Sequence, residues 1–224
     1  MSELSSTSQF WMNWWVQLAV AMGTVSAVLV ALFGQGFRAK FFPPKLSIAL
    51  ADPDGEKTRV QLTWVENNVE QRRSEDARYY RVRVSNGRRW STANQVQVVL
   101  LQVDEPTADG QFAASWVGDI PLTWKHQPLF PTLRTIGPAS EVDLCSVVKD
   151  KWLQLHPLIA PFNLEVKRRQ QTRLILSLQA RSNECDSPLL RVQVSWDGRW
   201  HDGTQEMRRH LVLEVVDEAG ASSN

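Results

Sequence analysis

Two hydrophobic patterns divide the chain. From Val16 to Phe33 valine, alanine, leucine and methionine run almost unbroken, and no charged side chain occurs between Leu4 and Phe37. From Leu46 onward the period drops to two. "YYRVRVS" sets Tyr80, Val82 and Val84 against Tyr79, Arg81 and Arg83. "NQVQVVLLQV" aligns Val96, Val98 and Leu100; "RLILSLQA" aligns Leu174, Leu176, Leu178 and Ala180. "LLRVQVSW" turns Leu190, Val192, Val194 and Trp196 inward, and "HLVLEVV" does so with Leu211, Leu213 and Val215. Alternation of this kind marks half-buried strands. Shorter strands are expected at "LSIALA", "VQLTWV", "PLTW", "EVDLCSVV" and "FNLEV". Turn residues separate them at Pro53-Asp54-Gly55, Asn86-Gly87, Asp109-Gly110, Gly137-Pro138, Asp197-Gly198 and Asp202-Gly203. Asp197-Gly198, between Trp196 and Trp200, predicts a type I′ hairpin. "KDKWLQLH", Lys149 to His156, is the one short helix expected, and Glu66 to Asp76 reads as a charged loop. Many alternating strands and few helical stretches predict a mainly β fold, an antiparallel β-sandwich over residues 46–217.

The opening run, Trp14 to Phe33, meets the roughly 20 apolar residues that a helix needs to cross the hydrocarbon of a bilayer. Trp11, Trp14 and Trp15 precede it and Phe33, Phe37, Phe41 and Phe42 follow, where interfacial aromatic belts belong. A cleaved export signal would carry a basic leading region, which is missing here. A buried helix would show a polar face, and only Asn13, Gln17, Thr24 and Ser26 offer one. The reading is therefore a short extracytoplasmic N-terminus over 1–13, a transmembrane helix over 14–37, a basic and proline-containing linker over 38–45, and a flexible tail over 218–224. Arg38, Lys40 and Lys45 follow the span and no lysine or arginine precedes it. Basic flanks stay on the cytoplasmic side, which predicts a cytoplasmic C-terminal domain and lipid contacts for these three residues. Ala19, Gly23, Ala27 and Ala31 recur every four residues, a face along which two helices can pack closely in lipid.

"YYRVRVSNGRRWSTANQVQVVLLQV", followed by "RTIGPASEVDLCSVV", resembles the bacterial immunoglobulin-like modules of the CARDB type. The matching positions are Val84, Asn86, Gly87, Ala93, Val96 and Val98, with Gly137-Pro138 reversing the later turn. The match covers about a third of the chain. It departs from the pattern at the inserted "GRRW" tip and in overall length. The resemblance implies an elaborated immunoglobulin-like sandwich, and adhesion or scaffolding in place of catalysis.

Charge and composition narrow the function classes. The chain has 25 basic and 24 acidic residues, a formal net charge of +1, so no bulk field favours nucleic acid. Two cysteines, Cys145 and Cys185, are too few for a disulfide framework or a zinc site. His126, His156, His201 and His210 are scattered; only His201, Asp202 and His210 offer a metal reading, against a plain reading as polar surface residues. No serine sits in a G-x-S-x-G setting, no phosphate-cradling glycine loop is present, and Cys145 reads as a core thiol. No cofactor is expected. The sharper chemical hypothesis is that Arg81, Arg83, Arg88, Arg89 and Trp90 bind an anionic partner, since the guanidinium fork suits phosphate and tryptophan can anchor a partner. The alternative is a solvated face of local ion pairs.

These observations predict a single-pass, membrane-anchored interaction or scaffold protein, not an enzyme, with membrane lipid and a protein partner or a second copy of itself as partners. A second expectation is a ligand-gated effector sensing a phosphorylated small molecule, similar in architecture alone to the membrane-anchored β-barrel effectors of bacterial nucleotide-signalling defence. A third is an exported carbohydrate- or surface-binding module using Trp90, Trp116 or Trp200 to stack sugars, which would need the opposite topology.

Overall fold

The computed structural model describes residues 14–30, 43–66, 69–88, 90–126 and 133–216. The chain divides into two compact units, Met1–Pro43 and Pro44–Asn224. In the first, residues 14–30 form one α-helix, α1, with every side chain exposed. Among the described residues no helix is long and apolar enough to cross a membrane. The helix expected over 14–37 is thus seen only to residue 30. Ala31, Arg38 and Lys40, the leader 1–13 and the tail 218–224 lie outside the described residues.

The second unit is mainly β: two antiparallel sheets stacked on a shared apolar core. The first sheet contains β1 (Leu46–Leu50), β2 (Glu56–Glu66), β3 (Val69–Asn86), β7 (Ala139–Val148), β8 (Trp152–Leu155) and β9 (Lys167–Arg168), in the order β1-β3-β7-β8-β9. The second contains β4 (Ala93–Pro106), β5 (Phe112–Pro121), β6 (Arg134–Ile136), β10 (Thr172–Arg181), β11 (Leu190–Trp196) and β12 (Leu211–Val215), in the order β12-β11-β10-β4-β5, with β6 beside β4. The inward sets follow the predicted alternation. Tyr80, Val82 and Val84 of β3, Val96, Val98 and Leu100 of β4, Leu174, Leu176, Leu178 and Ala180 of β10, and Leu190, Val192, Val194 and Trp196 of β11 are all buried in one cluster. Val215, also expected inside, is exposed where β12 ends.

β3 is the organising strand. Its C-terminal half lies between β1 and β7, with Leu46 paired to Asn86 and Ala77 to Val148. Its N-terminal half pairs with β2, from Glu66 opposite Val69 to Glu56 opposite Tyr79, and before Ala77 it pairs with β2 alone. Because β7 stops opposite Ala77, the stretch Val60–Glu66 and Val69–Glu75 continues as a two-stranded ribbon, roughly 20 Å long at 3.3 Å per residue. Within the expected loop from Glu66 to Asp76, Glu66 and Val69–Asp76 are strand, and residues 67–68 lie outside the described residues. Cross-strand hydrogen bonds satisfy the inward half of the ribbon's backbone groups and water can satisfy the rest, so it forms without an apolar face of its own. Between β1 and β2 the chain turns at Gly55, whose φ is +66° and where a Cβ would lie 2.8 Å from the Tyr80 ring. Only glycine accommodates both conditions.

Three local expectations are corrected. "KDKWLQLH" is not a helix: Asp150 adopts a positive φ of 53°, the chain reverses, and Trp152–Leu155 form β8 with Leu153 and Leu155 buried. "FNLEV" forms no strand, although Leu164 is buried. Asp197-Gly198 is not a type I′ turn, because only Gly198 has positive φ. The β11–β12 connection instead carries a short helix, α2 (Thr204–His210), whose single buried side chain, Met207, plugs the core.

Candidate functional site

The outward face of β3 carries Tyr79, Arg81 and Arg83, and β7 supplies their partners. The β3–β7 register shifts between Tyr80 and Arg81, so Tyr80 pairs with Cys145 and Arg81 with Asp143. This bulge buries Leu144 and Cys145 together while aiming Asp143 outward, a usual way of re-directing a side chain. Arg81, only 8 % exposed, donates from Nε to Asp143 Oδ1 at 2.6 Å and from Nη1 to Glu56 Oε2. Lys125 Nζ lies 3.0 Å from both Glu56 Oε2 and Glu141 Oε2, and Arg83 Nη2 lies 3.0 Å from Glu141 Oε1. Three cations and three carboxylates thus close a charge-balanced network, and all of them but Asp143 line a groove of about 390 Å³ together with Ala51, Asp52 and Tyr79. An adjoining lobe of about 460 Å³ reaches Arg59, Trp124 and His126.

The electrostatics follow the pairs. Hydrogen bonds from Lys125 and then Arg81 hold the Glu56 carboxyl below its ordinary value, and Lys125 and Arg83 do the same for Glu141. The same bonds raise Lys125. Burial works against the charge of Arg81, but Asp143 and Glu56 outweigh it and the net shift is upward. An anionic ligand would have to displace a carboxylate from each cation it used.

Beside the network, the Tyr79 ring stacks on His156 with centroids 5.1 Å apart, and the Arg81 guanidinium lies 5.5 Å from the Tyr79 centroid. His156 Nε2 is 2.8 Å from Ser146 Oγ. A serine and histidine at this distance have the spacing of an activated nucleophile. Here, however, Ser146 is 1 % exposed and Tyr79 lies over the ring, so the pair packs and offers no open face to a substrate. Burial depresses His156 and raises Tyr79.

Comparison with protein-family models matches none to this chain, and comparison with curated protein sequences finds no match. The geometry is therefore the basis for function.

The structure divides the predicted arginine set. Arg81 and Arg83 lie in the groove. Arg88 and Trp90 belong to a turn beyond Asn86 that lines neither lobe, and Arg89 lies outside the described residues. That turn packs on Lys45: Lys45 N donates to Asn86 Oδ1 at 3.1 Å, and Gly87 N to Lys45 O at 2.9 Å. Ala19, Gly23 and Ala27 are exposed on α1. Of the three tryptophans considered for sugar stacking, Trp116 is buried, Trp200 is half-buried and Trp90 is exposed. His201 Nδ1 accepts from Gly203 N at 3.0 Å, and His210 Nδ1 lies 2.8 Å from Asp197 Oδ2. No cluster of metal-ligating residues exists among the described residues. Both cysteines are free, and burial pushes the Cys145 thiol up to about 12.

Sequence reasoning missed Glu56, Lys125, Glu141 and Asp143. One signal was present: Glu141-x-Asp143 in "EVDLCSVV" has the same two-residue spacing as Arg81-x-Arg83. On adjacent antiparallel strands, opposite charges at that spacing face each other. A second surface was also missed. The β2–β3 ribbon bears exposed Trp64 and Val65 near its tip, with the ion pairs Arg72–Glu70 and Arg73–Glu75 along β3.

Proposed function

We propose that the chain is a single-pass, membrane-anchored interaction protein whose cytoplasmic β-sandwich presents the β2–β3 ribbon to a protein partner. The ribbon carries this reading. It extends past the end of the sheet, places Trp64 and Val65 in solvent, and none of its described side chains, Val60–Val65 and Glu70–Glu75, joins the buried cluster. A two-stranded hairpin alone is marginal in water, and exposed aromatic residues on such an element suit a docking surface. The anchor part of the reading rests on the uncharged apolar run from Val16 to Phe33 and on the exposed apolar side chains of α1. The basic flank after the run supports a cytoplasmic domain. The likeness to CARDB-type modules fits the same picture: Val84, Ala93, Val96 and Val98 of that motif lie in the sandwich core. The groove favours a phosphorylated ligand less, because Arg81, Arg83 and Lys125 each hold a carboxylate.

Affinity capture from detergent-solubilised membranes, comparing the native chain with one in which Leu62–Arg73 is replaced by a two-residue turn between the paired Gln61 and Ser74, tests this proposal. The native chain should retain a specific protein, the shortened chain should lose it, and both should sediment with membranes. Capture of the same protein by the shortened chain would remove the ribbon from the argument. Digestion of the C-terminal domain by protease added to sealed spheroplasts would reverse the topology.

A further inference from the structure

The sequence separates Lys45 from the "NGRRW" turn by about forty residues, and they read as two features, a lipid-contacting linker and an anion-binding tip. The fold makes them one surface. Asn86 is the joint: its Oδ1 accepts from Lys45 N at 3.1 Å and from Arg88 N at 3.0 Å, and its Nδ2 donates to Ser91 O. Gly87 N donates to Lys45 O, and Ser91 N to Arg88 O at 3.2 Å. The turn is therefore pinned at both ends, and it is pinned to the first residues of the sandwich. At its tip Trp90 is 71 % exposed. A large aromatic side chain held in solvent on a fixed turn contributes nothing to the core.

We infer that Trp90 and Lys45 form a bilayer contact, with the indole in the head-group layer of an anionic membrane and the ammonium beside lipid phosphates. This inference rests on the membrane-anchored reading above. Three observations favour a lipid surface as the occupant. Only residues 31–42 separate the last described residue of α1 from Pro43, a length that reaches at most about 43 Å even fully extended. Those residues themselves carry Arg38, Lys40 and four phenylalanines, so the cationic and aromatic character of Lys45 and Trp90 continues that of the sequence between α1 and Pro43. Tryptophan is enriched at membrane interfaces because its ring is apolar and its N–H polar. The neighbouring Ser182–Ser187 turn opposes the electrostatic part. It brings Glu184, held by Asn94 at 3.1 and 2.8 Å, and Asp186 to the same end, where Cys185 Sγ meets Pro44 O at 3.1 Å. The indole therefore supplies depth, and the lysine supplies a preference for anionic lipid of roughly fivefold.

The test reconstitutes the full chain in vesicles of phosphatidylcholine alone and of phosphatidylcholine with phosphatidylglycerol, each with and without brominated acyl chains. Trp90 fluorescence is isolated as the difference between the native chain and W90F. The expected Trp90 signal is blue-shifted and quenched by brominated lipid, more strongly with phosphatidylglycerol, and K45E removes that enhancement. The Lys45 contacts to the turn use its backbone, so K45E leaves the turn in place. A Trp90 signal unquenched in both vesicles, while the remaining tryptophans are quenched, overturns the inference and leaves the anchor standing. A Trp90 signal shielded from iodide but not quenched by brominated lipid also overturns it, in favour of protein contact. Failure of the chain to associate with vesicles at all sinks the anchored reading beneath it.

Discussion

Arg81 and Arg83 stand two residues apart on one face of one strand, yet they live in different dielectrics. The Arg81 side chain is 9 % exposed and that of Asp143 12 %, whereas the Arg83 side chain is 51 % exposed. Removing one member of a buried pair leaves the other charge without compensation, while an exposed pair is screened by water. D143A should therefore lower the unfolding free energy by about 3 kcal/mol, and E141A by less than about 1 kcal/mol. Urea denaturation of the two variants near neutral pH distinguishes these values; equal effects would mean that Glu56 alone suffices for Arg81. His156 gives a second prediction at this scale. Burial disfavours its charged form, so its folded pKa lies below the ordinary 6.5. As pH falls below 6.5 the unfolded chain takes up the proton first, and stability declines until pH passes the folded value. H156Q should abolish the part of the acid-side decline that begins near pH 6.5, seen as a flatter plot of unfolding free energy against pH down to about 5. Glu56 and Glu141 cannot mimic this effect. Their pKa values are depressed from 4.5, so their stabilisation is present above 4.5 and fades only as pH falls through their lower folded values.

At the scale of elements, what the chain discloses in advance depends on what holds each element in place. β10 and β11 are held by a buried face, and their alternation of leucine and valine with polar residues marks them directly. The β2–β3 ribbon is held by its own cross-strand hydrogen bonds: its β2 half, "VQLTWV", reads as a strand, but its β3 half shows no apolar period and reads as a loop. β8 misleads because Leu153 and Leu155 are too few to separate a period of two from a helix, and α2 is silent because Met207 is its only buried residue. The groove divides the same way. Arg81 and Arg83 are legible as a pair on one strand, and Glu141-x-Asp143 matches their spacing; Glu56 and Lys125 reach them from two other segments, and no local rule brings those in. Independence from the core also makes the ribbon a measurable object. Replacing Leu62–Arg73 with a two-residue turn should change the unfolding free energy by less than about 1 kcal/mol, as for surface substitutions that leave the core intact. A loss of several kcal/mol in the same denaturation assay would mean that the ribbon braces the sandwich, and its assignment as a partner surface would lose its main support.

At the scale of the whole sandwich, the two sheets must be held at their rims as well as through the apolar layer, and one inward-facing arginine does this without a carboxylate. Arg78 shares the inner face of β3 with Tyr80 and is 2 % exposed. Its Nη1 donates to Asp54 O at 3.0 Å, Gly55 O at 3.3 Å and Thr204 Oγ1 at 3.3 Å, and its Nη2 to Asp202 O at 3.3 Å. The first two acceptors belong to the β1–β2 turn of one sheet. The others belong to the β11–β12 connection of the second sheet, so a single guanidinium ties both layers through uncharged oxygens. Around it, Arg208 pairs with Asp54, and Lys57 and Lys149 with Asp202, on the exposed rim. The two kinds of contact respond differently to salt. R78A should cost about 3 kcal/mol, the range for a buried hydrogen-bonded network. R78K should recover little of it, because one ammonium cannot span acceptors on two turns as a planar fork does. The deficit should be nearly the same at low salt and at 1 M NaCl, since its acceptors carry no net charge, whereas the smaller effect of K57A should fade as salt screens the exposed pair. Denaturation curves for R78A, R78K and K57A at the two ionic strengths decide the point. If the R78A deficit also fades at high salt, Arg78 acts through the nearby carboxylates of Asp54 and Asp202, and the neutral clasp between the sheets is not what joins them.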